Sequence, residues 1–262
     1  MLERRVLDSH VLGERRPYRV LLPAGYAGAP ARRYPVLYLH DGQAVFDDDT
    51  HVLGGLLDGR WPALDPGGRR LHALMEAGGT RPAIVVAVDA LSLRARIRDY
   101  LPPGDRYLEV DGAADRYARF VVEELKPAVD AAFRTCPGRE DTVTAGFSFG
   151  GVVAFYIGWQ YADRLCGVGS LSGGFWASAL SARVATEERR DLRIYLDAGD
   201  DDLDDTVALC RLLLSRAYVL GRDVRCDHRR GHAHLPGHFA AGLEPMLRFL
   251  LPVASQACAP SR

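Results

Sequence analysis

Apolar residues along the chain follow two rhythms. Tyr34-Pro-Val-Leu-Tyr-Leu-His40, Ala83-Ile-Val-Val-Ala-Val-Asp89 and the run from Asp141 to Phe147 are short and largely apolar, the pattern of strands covered on both faces. Cys166 to Leu171, Leu192 to Leu196 and Val224 to Cys226 predict further short strands. Between them the spacing turns helical. Ala113 to Phe133 sets Tyr117, Phe120, Val121, Leu125, Val129 and Phe133 on one face, with a kink expected at Pro127. Thr206 to Leu220, Phe239 to Leu251 and the second half of Trp61 to Met75, which closes at Gly78-Gly79, read the same way. The N-terminal region differs. Alternating stretches at Arg5 to Val11 and Tyr18 to Leu22, separated by Gly13 to Pro17, predict an antiparallel hairpin. Leu91 to Val110, with Pro102, Pro103, Gly104 and many charges, is predicted to be a long surface loop near the strand ends.

A hairpin followed by strands alternating with helices predicts an α/β fold: a mostly parallel central sheet, an N-terminal antiparallel hairpin and helices on both faces. No linker or repeat divides residues 1–262, so a single domain is expected. Composition adds exclusions. With 48% apolar and 26% charged residues and a net charge of -1, there is no electrostatic footprint for nucleic acid. The start of the chain is charged and no run approaches membrane-span length, so a cytoplasmic protein without a membrane partner is expected. Cys136, Cys166, Cys210, Cys226 and Cys258 are odd in number, widely spaced and lack a C-x-x-C, so reduced, mostly buried thiols are expected rather than a disulfide framework or a zinc site.

Candidate chemistry centres on Gly146-Phe-Ser-Phe-Gly150, a G-x-S-x-G motif between a predicted strand and a predicted helix. A serine at the tip of such a turn is strained, and the residues two positions away must be small. Serine is a poor nucleophile without a base, normally His, and a carboxylate that orients it. On an α/β-hydrolase scaffold the partners follow in the order Ser, acid, His. After Ser148 the histidines are His228, His232, His234 and His238, all between the last predicted strand and the last helix. The strand ending at Gly199 opens into Asp200-Asp201-Asp202, any of which offers the acid. Arginines and glycines interrupt the histidine cluster, so no metal is expected there; no cofactor is expected either. The run Asp47-Asp48-Asp49 reads as a solvated loop. Phe149 supplies one oxyanion N–H, and Gln43, after the turn His40-Asp41-Gly42, the other.

Several blocks in this order resemble the esterase family of the esterase D and enterochelin esterase type, within the α/β-hydrolase superfamily. They are Arg16 to Tyr26, Tyr34 to Asp47, Arg98-Asp-Tyr-Leu-Pro102, Phe120 to Pro127, the Ser148 turn, Leu171-Ser-Gly-Gly-Phe-Trp176, and Gly231-His-Ala-His234 with Phe239. The resemblance implies His234 as base, five positions before an aromatic, and Asp202 as acid, three residues beyond the strand-ending glycine, with Asp200 and Asp201 as alternatives. It implies a serine carboxylic-ester hydrolase with an acyl-enzyme intermediate, acting on small-molecule esters of siderophore-like, aromatic acyl or depsipeptide and lactone type. Phe147, Phe149, Phe175 and Trp176 are candidate pocket walls, and Arg98 is a candidate donor to an anionic or phenolic group. The chain departs from the family in carrying Phe147 and Phe149 around the serine and Phe rather than Trp at position 239. An acyltransferase with the same triad and an alcohol acceptor, or a non-catalytic binding module, are the competing expectations.

Overall fold

In the computed structural model, which describes residues 1–47 and 63–253, the apolar runs become inner strands of one sheet. Its strands are β1 (Leu2–Ser9), β2 (Glu14–Leu21), β3 (Val36–His40), β4 (Ile84–Val88), β7 (Thr142–Phe147), β8 (Gly167–Leu171), β9 (Arg193–Ala198) and β10 (Val224–His228). They lie in the order β1-β2-β4-β3-β7-β8-β9-β10. β1, β2 and β4 pair antiparallel and the rest parallel. A separate ribbon joins β5 (Arg106–Tyr107) to β6 (Val110–Asp111). The continuous apolar runs are explained by burial on both faces: Tyr38, Val86 and Val168 face one core layer, while Leu37, Val85 and Ala145 face the other.

The helices that position the site are α1 (Gly42–Phe46), α3 (Leu93–Tyr100), α6 (Phe149–Gln160), α8 (Leu203–Ser215) and α9 (Pro236–Leu250). The remainder are α2 (Arg69–Glu76), α4 (Ala114–Arg119), α5 (Lys126–Ala132) and α7 (Leu180–Thr186). α6 is buried from Phe149 through Trp159 and packs beneath one face of the sheet. α9 brings Leu243, Met246 and Leu247 to the other. Between α4 and α5 the helix widens to a π pitch over Phe120–Leu125, immediately before Pro127. Because proline has no N–H to donate, an irregular ladder at this point accommodates it.

Three expectations are corrected. The hairpin turn lies at 10–13, closed by the Gly13 N–H on the Ser9 carbonyl, and Glu14 to Pro17 belong to β2. Arg16 hid this strand, since its charge is fully buried through pairs with Asp99 and Glu14. Leu91 to Val110 is not a surface loop: it contains α3, capped by Ser92, whose hydroxyl accepts the Ala95 N–H at 3.1 Å. Its charged residues Arg96 and Asp99 are buried in ion pairs, so the hydrophobic pattern alone concealed the helix. Cys210 and Cys226 form a disulfide between α8 and β10, and Cys136 is also disulfide-bonded, which overturns the reading of all five thiols as reduced. Cys166 keeps its thiol, held above its ordinary pKa at about 11 chiefly by burial. Trp61, Asp48, Asp49 and Cys258 lie outside the described residues. Among those described, no helix is long and apolar enough to cross a membrane.

Candidate active site

Ser148 sits between the end of β7 and the first residue of α6, with φ 56° and ψ −129°. For a residue with a Cβ this left-handed region is strained, and it persists because both flanks are fixed. The Ser148 N–H donates to the Leu171 carbonyl at 3.0 Å, and its own carbonyl accepts from Gly151 at 2.9 Å. Sterics require glycine at 146 and leave little room for a side chain at 150. A Cβ on Gly146 would stand 2.4 Å from the Gly150 backbone, and one on Gly150 would lie 3.2 Å from an Asp41 carboxylate oxygen.

The three aspartates after β9 take different partners on the loop between β10 and α9. Asp202 Oδ2 lies 2.6 Å from His234 Nδ1. Asp201 accepts the His234 peptide N–H at 2.8 Å. Asp200 contacts His228 Nε2 at 2.7 Å and accepts the Gly231 N–H at 2.8 Å. The His234 ring stands edge-on to Phe239 at 5.1 Å, and Phe239 stacks on Phe147 at 4.9 Å. A continuous column of rings therefore connects the residue before Ser148 to the histidine. A carboxylate at Nδ1 favours the tautomer protonated there, which leaves the Nε2 lone pair as an acceptor.

Asp197, fully buried on β9, ties the same loops from below. It accepts the Ser172 N–H at 3.0 Å and Arg229 Nε at 2.8 Å, with His238 Nε2 at 3.3 Å. The loops after β8 and β10 and the first turn of α9 thus share one carboxylate. Sequence reasoning passed over Asp197 because it sits within an apolar strand; the signal was a charge that such a strand does not tolerate unpaired.

The N–H groups of Gln43 and Phe149 lie in the first turns of α1 and α6, where helix geometry supplies no intrahelical acceptor. Asp41, which precedes α1, has φ 60° and ψ 47°. The Gln43 side chain is anchored separately, its Oε1 accepting the Ala90 N–H at 3.0 Å. His40 is buried between Tyr117 Oη at 2.9 Å and Thr144 Oγ1 at 3.0 Å. Burial, and then the Arg96 charge, depress its pKa to about 3, so this histidine stays neutral under the strand.

The candidate pocket residues divide. Phe147 and Phe175 are packed inward, Phe147 on Phe239 and Phe175 on Phe155, so they support the site rather than face a ligand. Phe149 and Trp176 instead meet Tyr107 in a cluster with centroid separations of 5.3 to 5.9 Å, and Trp176 is 56% exposed. The Asp105 carboxylate accepts the Ala179 N–H at 3.1 Å, fastening the loop before Tyr107 to the segment after Trp176. Tyr107 was not legible within a segment read as loop. Arg98 pairs with Asp99 at 2.7 Å and lies 3.7 Å from Glu14 at the hairpin, so its guanidinium is engaged away from the turn. The arginine of this helix that reaches the Ser148 turn is Arg96.

A strained serine between strand and helix, an acid after β9, a histidine after β10 and a 1-2-4-3-7-8-9-10 sheet together define an α/β-hydrolase. The chain belongs to the family described as Putative esterase, whose model matches residues 9–217. Among curated proteins it is similar to Iron(III) enterobactin esterase of Escherichia coli O6:H1, with 31% identity over 58% of this chain and 38% of that protein. It is also similar to Ferri-bacillibactin esterase BesA of Bacillus subtilis, with 27% identity over 59% of this chain and 52% of that protein. The chain thus matches about half or less of the length of these relatives. Among solved structures, a ferulic acid esterase superposes with a TM-score of 0.69 at 19% identity, covering 97% of this chain and 98% of its own. The enterobactin esterase of Shigella flexneri gives 0.72 at 22% identity, covering 95% of this chain and 58% of its own.

Proposed function

We propose that the protein is a serine carboxylic-ester hydrolase that turns over small-molecule esters through an acyl-enzyme intermediate. The observation that carries this reading is the 2.6 Å contact between Asp202 and His234 Nδ1, downstream of a serine in the nucleophile-elbow conformation. In the first step His234 Nε2 takes the Ser148 proton as Oγ attacks the ester carbonyl. The N–H groups of Phe149 and Gln43 hold the oxyanion, and Asp202 stabilises the imidazolium. Collapse releases the alcohol, protonated by His234. Water then repeats the sequence on the acyl-enzyme and releases the acid.

For the substrate, support comes from exposed Trp176 and half-buried Tyr107, which pack edge-on to each other over buried Phe149 and present an aromatic surface suited to a flat ring. The names of its relatives and structural neighbours, esterases of enterobactin, bacillibactin and ferulic acid, point the same way. We therefore assign aromatic-acyl and siderophore-like lactone esters as the substrate class. A panel of aryl, alkyl and lactone esters tests this, with an added alcohol to detect acyl transfer. Preferred hydrolysis of aromatic-acyl esters is expected. Equal rates on short alkyl esters contradict the substrate class, and a dominant alcoholysis product converts the reading to an acyltransferase.

A further inference from the structure

An oxyanion hole built from two distant segments works only if their N–H groups are held at a fixed separation. Here the segments are the turn Asp41–Gln43 and the elbow Phe147–Phe149, and one buried guanidinium touches both. Arg96, on α3, is 3% exposed and its partner Asp41 is 0% exposed. Arg96 Nε lies 2.8 and 3.0 Å from the two Asp41 carboxylate oxygens, and Nη2 lies 2.7 Å from Oδ2. The same Nη2 donates to the Phe147 carbonyl at 3.4 Å. The guanidinium carbon sits 5.4 Å from the centroid of Tyr100, 6.0 Å from that of Phe147 and 5.6 Å from that of Phe149. The Asp41 peptide N–H donates to Tyr100 Oη at 3.1 Å, so α3 holds Asp41 by side chain and backbone together. Burial would lower the Arg96 pKa, but the Asp41 charge and hydrogen bonds outweigh it and keep the guanidinium cationic.

We propose that Arg96 is a positioning residue that sets the spacing of the two oxyanion donors, an inference that rests on the ester-hydrolase reading above. Asp41 precedes the Gln43 N–H by two residues, and Phe147 precedes the Phe149 N–H by two, so a shift at either contact is passed directly to a donor. The planar fork of arginine satisfies a carboxylate through two nitrogens and still has a donor for a carbonyl. A lysine ammonium supplies the charge without that geometry. Displacement of a catalytic group by about 1 Å costs roughly 10²-fold in rate. The competing account is that Arg96 only neutralises buried Asp41, in which case removing both charges together restores function.

The test compares wild type, Arg96→Lys, Arg96→Met and the double variant Arg96→Met with Asp41→Asn. For each, kcat and KM are measured on p-nitrophenyl acetate, with the rate of fluorophosphonate labelling at Ser148, inhibition by phenylboronic acid and Tm. The proposal expects kcat, labelling rate and boronate affinity to fall together by about 10²-fold in Arg96→Lys with KM nearly unchanged. The double variant is expected to regain Tm but not kcat. If kcat instead returns with Tm in the double variant, or Arg96→Lys keeps full kcat, the proposal is overturned while the esterase reading stands. Wild-type protein that neither hydrolyses the ester nor is labelled at Ser148 overturns the esterase reading, and this proposal with it.

Discussion

Asp200, Asp201 and Asp202 are chemically identical and adjacent, yet each holds a different point of the histidine loop. Sequence narrowed the acid to these three because a carboxylate was needed after the strand ending at Gly199. The family resemblance favoured Asp202, and the side-chain directions that give the three different partners are a property of the fold. Asp202→Asn is expected to lower kcat by on the order of 10³–10⁴-fold, since an amide favours the wrong imidazole tautomer. Asp201→Asn keeps an acceptor for the His234 peptide N–H, and Asp200→Asn acts only on His228 and Gly231, so both are expected to lose far less. Steady-state kinetics of the three variants checks the ranking; a large loss in Asp200→Asn with little in Asp202→Asn contradicts it. Chain order left four histidines open, and the family resemblance, with its aromatic five positions on, singled out His234; Arg98 was named and Arg96 passed over for want of the helix that turns them to different sides.

Elements were legible where hydrophobicity alone decided them. The runs at Val36–His40, Ile84–Val88 and Thr142–Phe147 are buried throughout and needed no tertiary information. β2 and α3 were obscured by the same device, a charged side chain buried through an ion pair with a residue far away in sequence. The link between α8 and β10 was equally hidden, because Cys210 and Cys226 carry no motif and meet only when helix and strand pack. That bond closes a loop with a sequence separation of 16, for which chain entropy gives about 3 kcal/mol. Cys210→Ser is therefore expected to lower unfolding free energy by about 3 kcal/mol in urea titration under non-reducing conditions. Reductant is expected to lower wild-type stability and leave the variant's response smaller; an unchanged midpoint in both contradicts the assignment.

Across the whole molecule, the order of the sheet converts a sequence of loops into a site. Parallel strands β7, β9 and β10 end at one edge, so Ser148, Asp202 and the loop bearing His234 emerge on the same side, in the chain order that the proposed triad requires. The antiparallel hairpin lies on the flank; β3, next to β7, leads into α1 with Gln43, and β4 leads into α3, whose Arg96 donates to the Phe147 carbonyl at the elbow. The alternation of parallel strands and helices was legible because the apolar runs impose it; of the aromatic cluster, Phe149 and Trp176 were named from the sequence, whereas Tyr107 was not, because it joins them only through contacts between separate segments. The central claim is that Ser148 is a nucleophile activated by His234. Its most direct measurement is fluorophosphonate labelling of wild type, Ser148→Ala and His234→Ala, with peptide mapping of the adduct. The account predicts an adduct on Ser148 in wild type, none in Ser148→Ala and strongly slowed labelling in His234→Ala. Labelling that persists in Ser148→Ala, or a wild-type protein that takes no label, would contradict it.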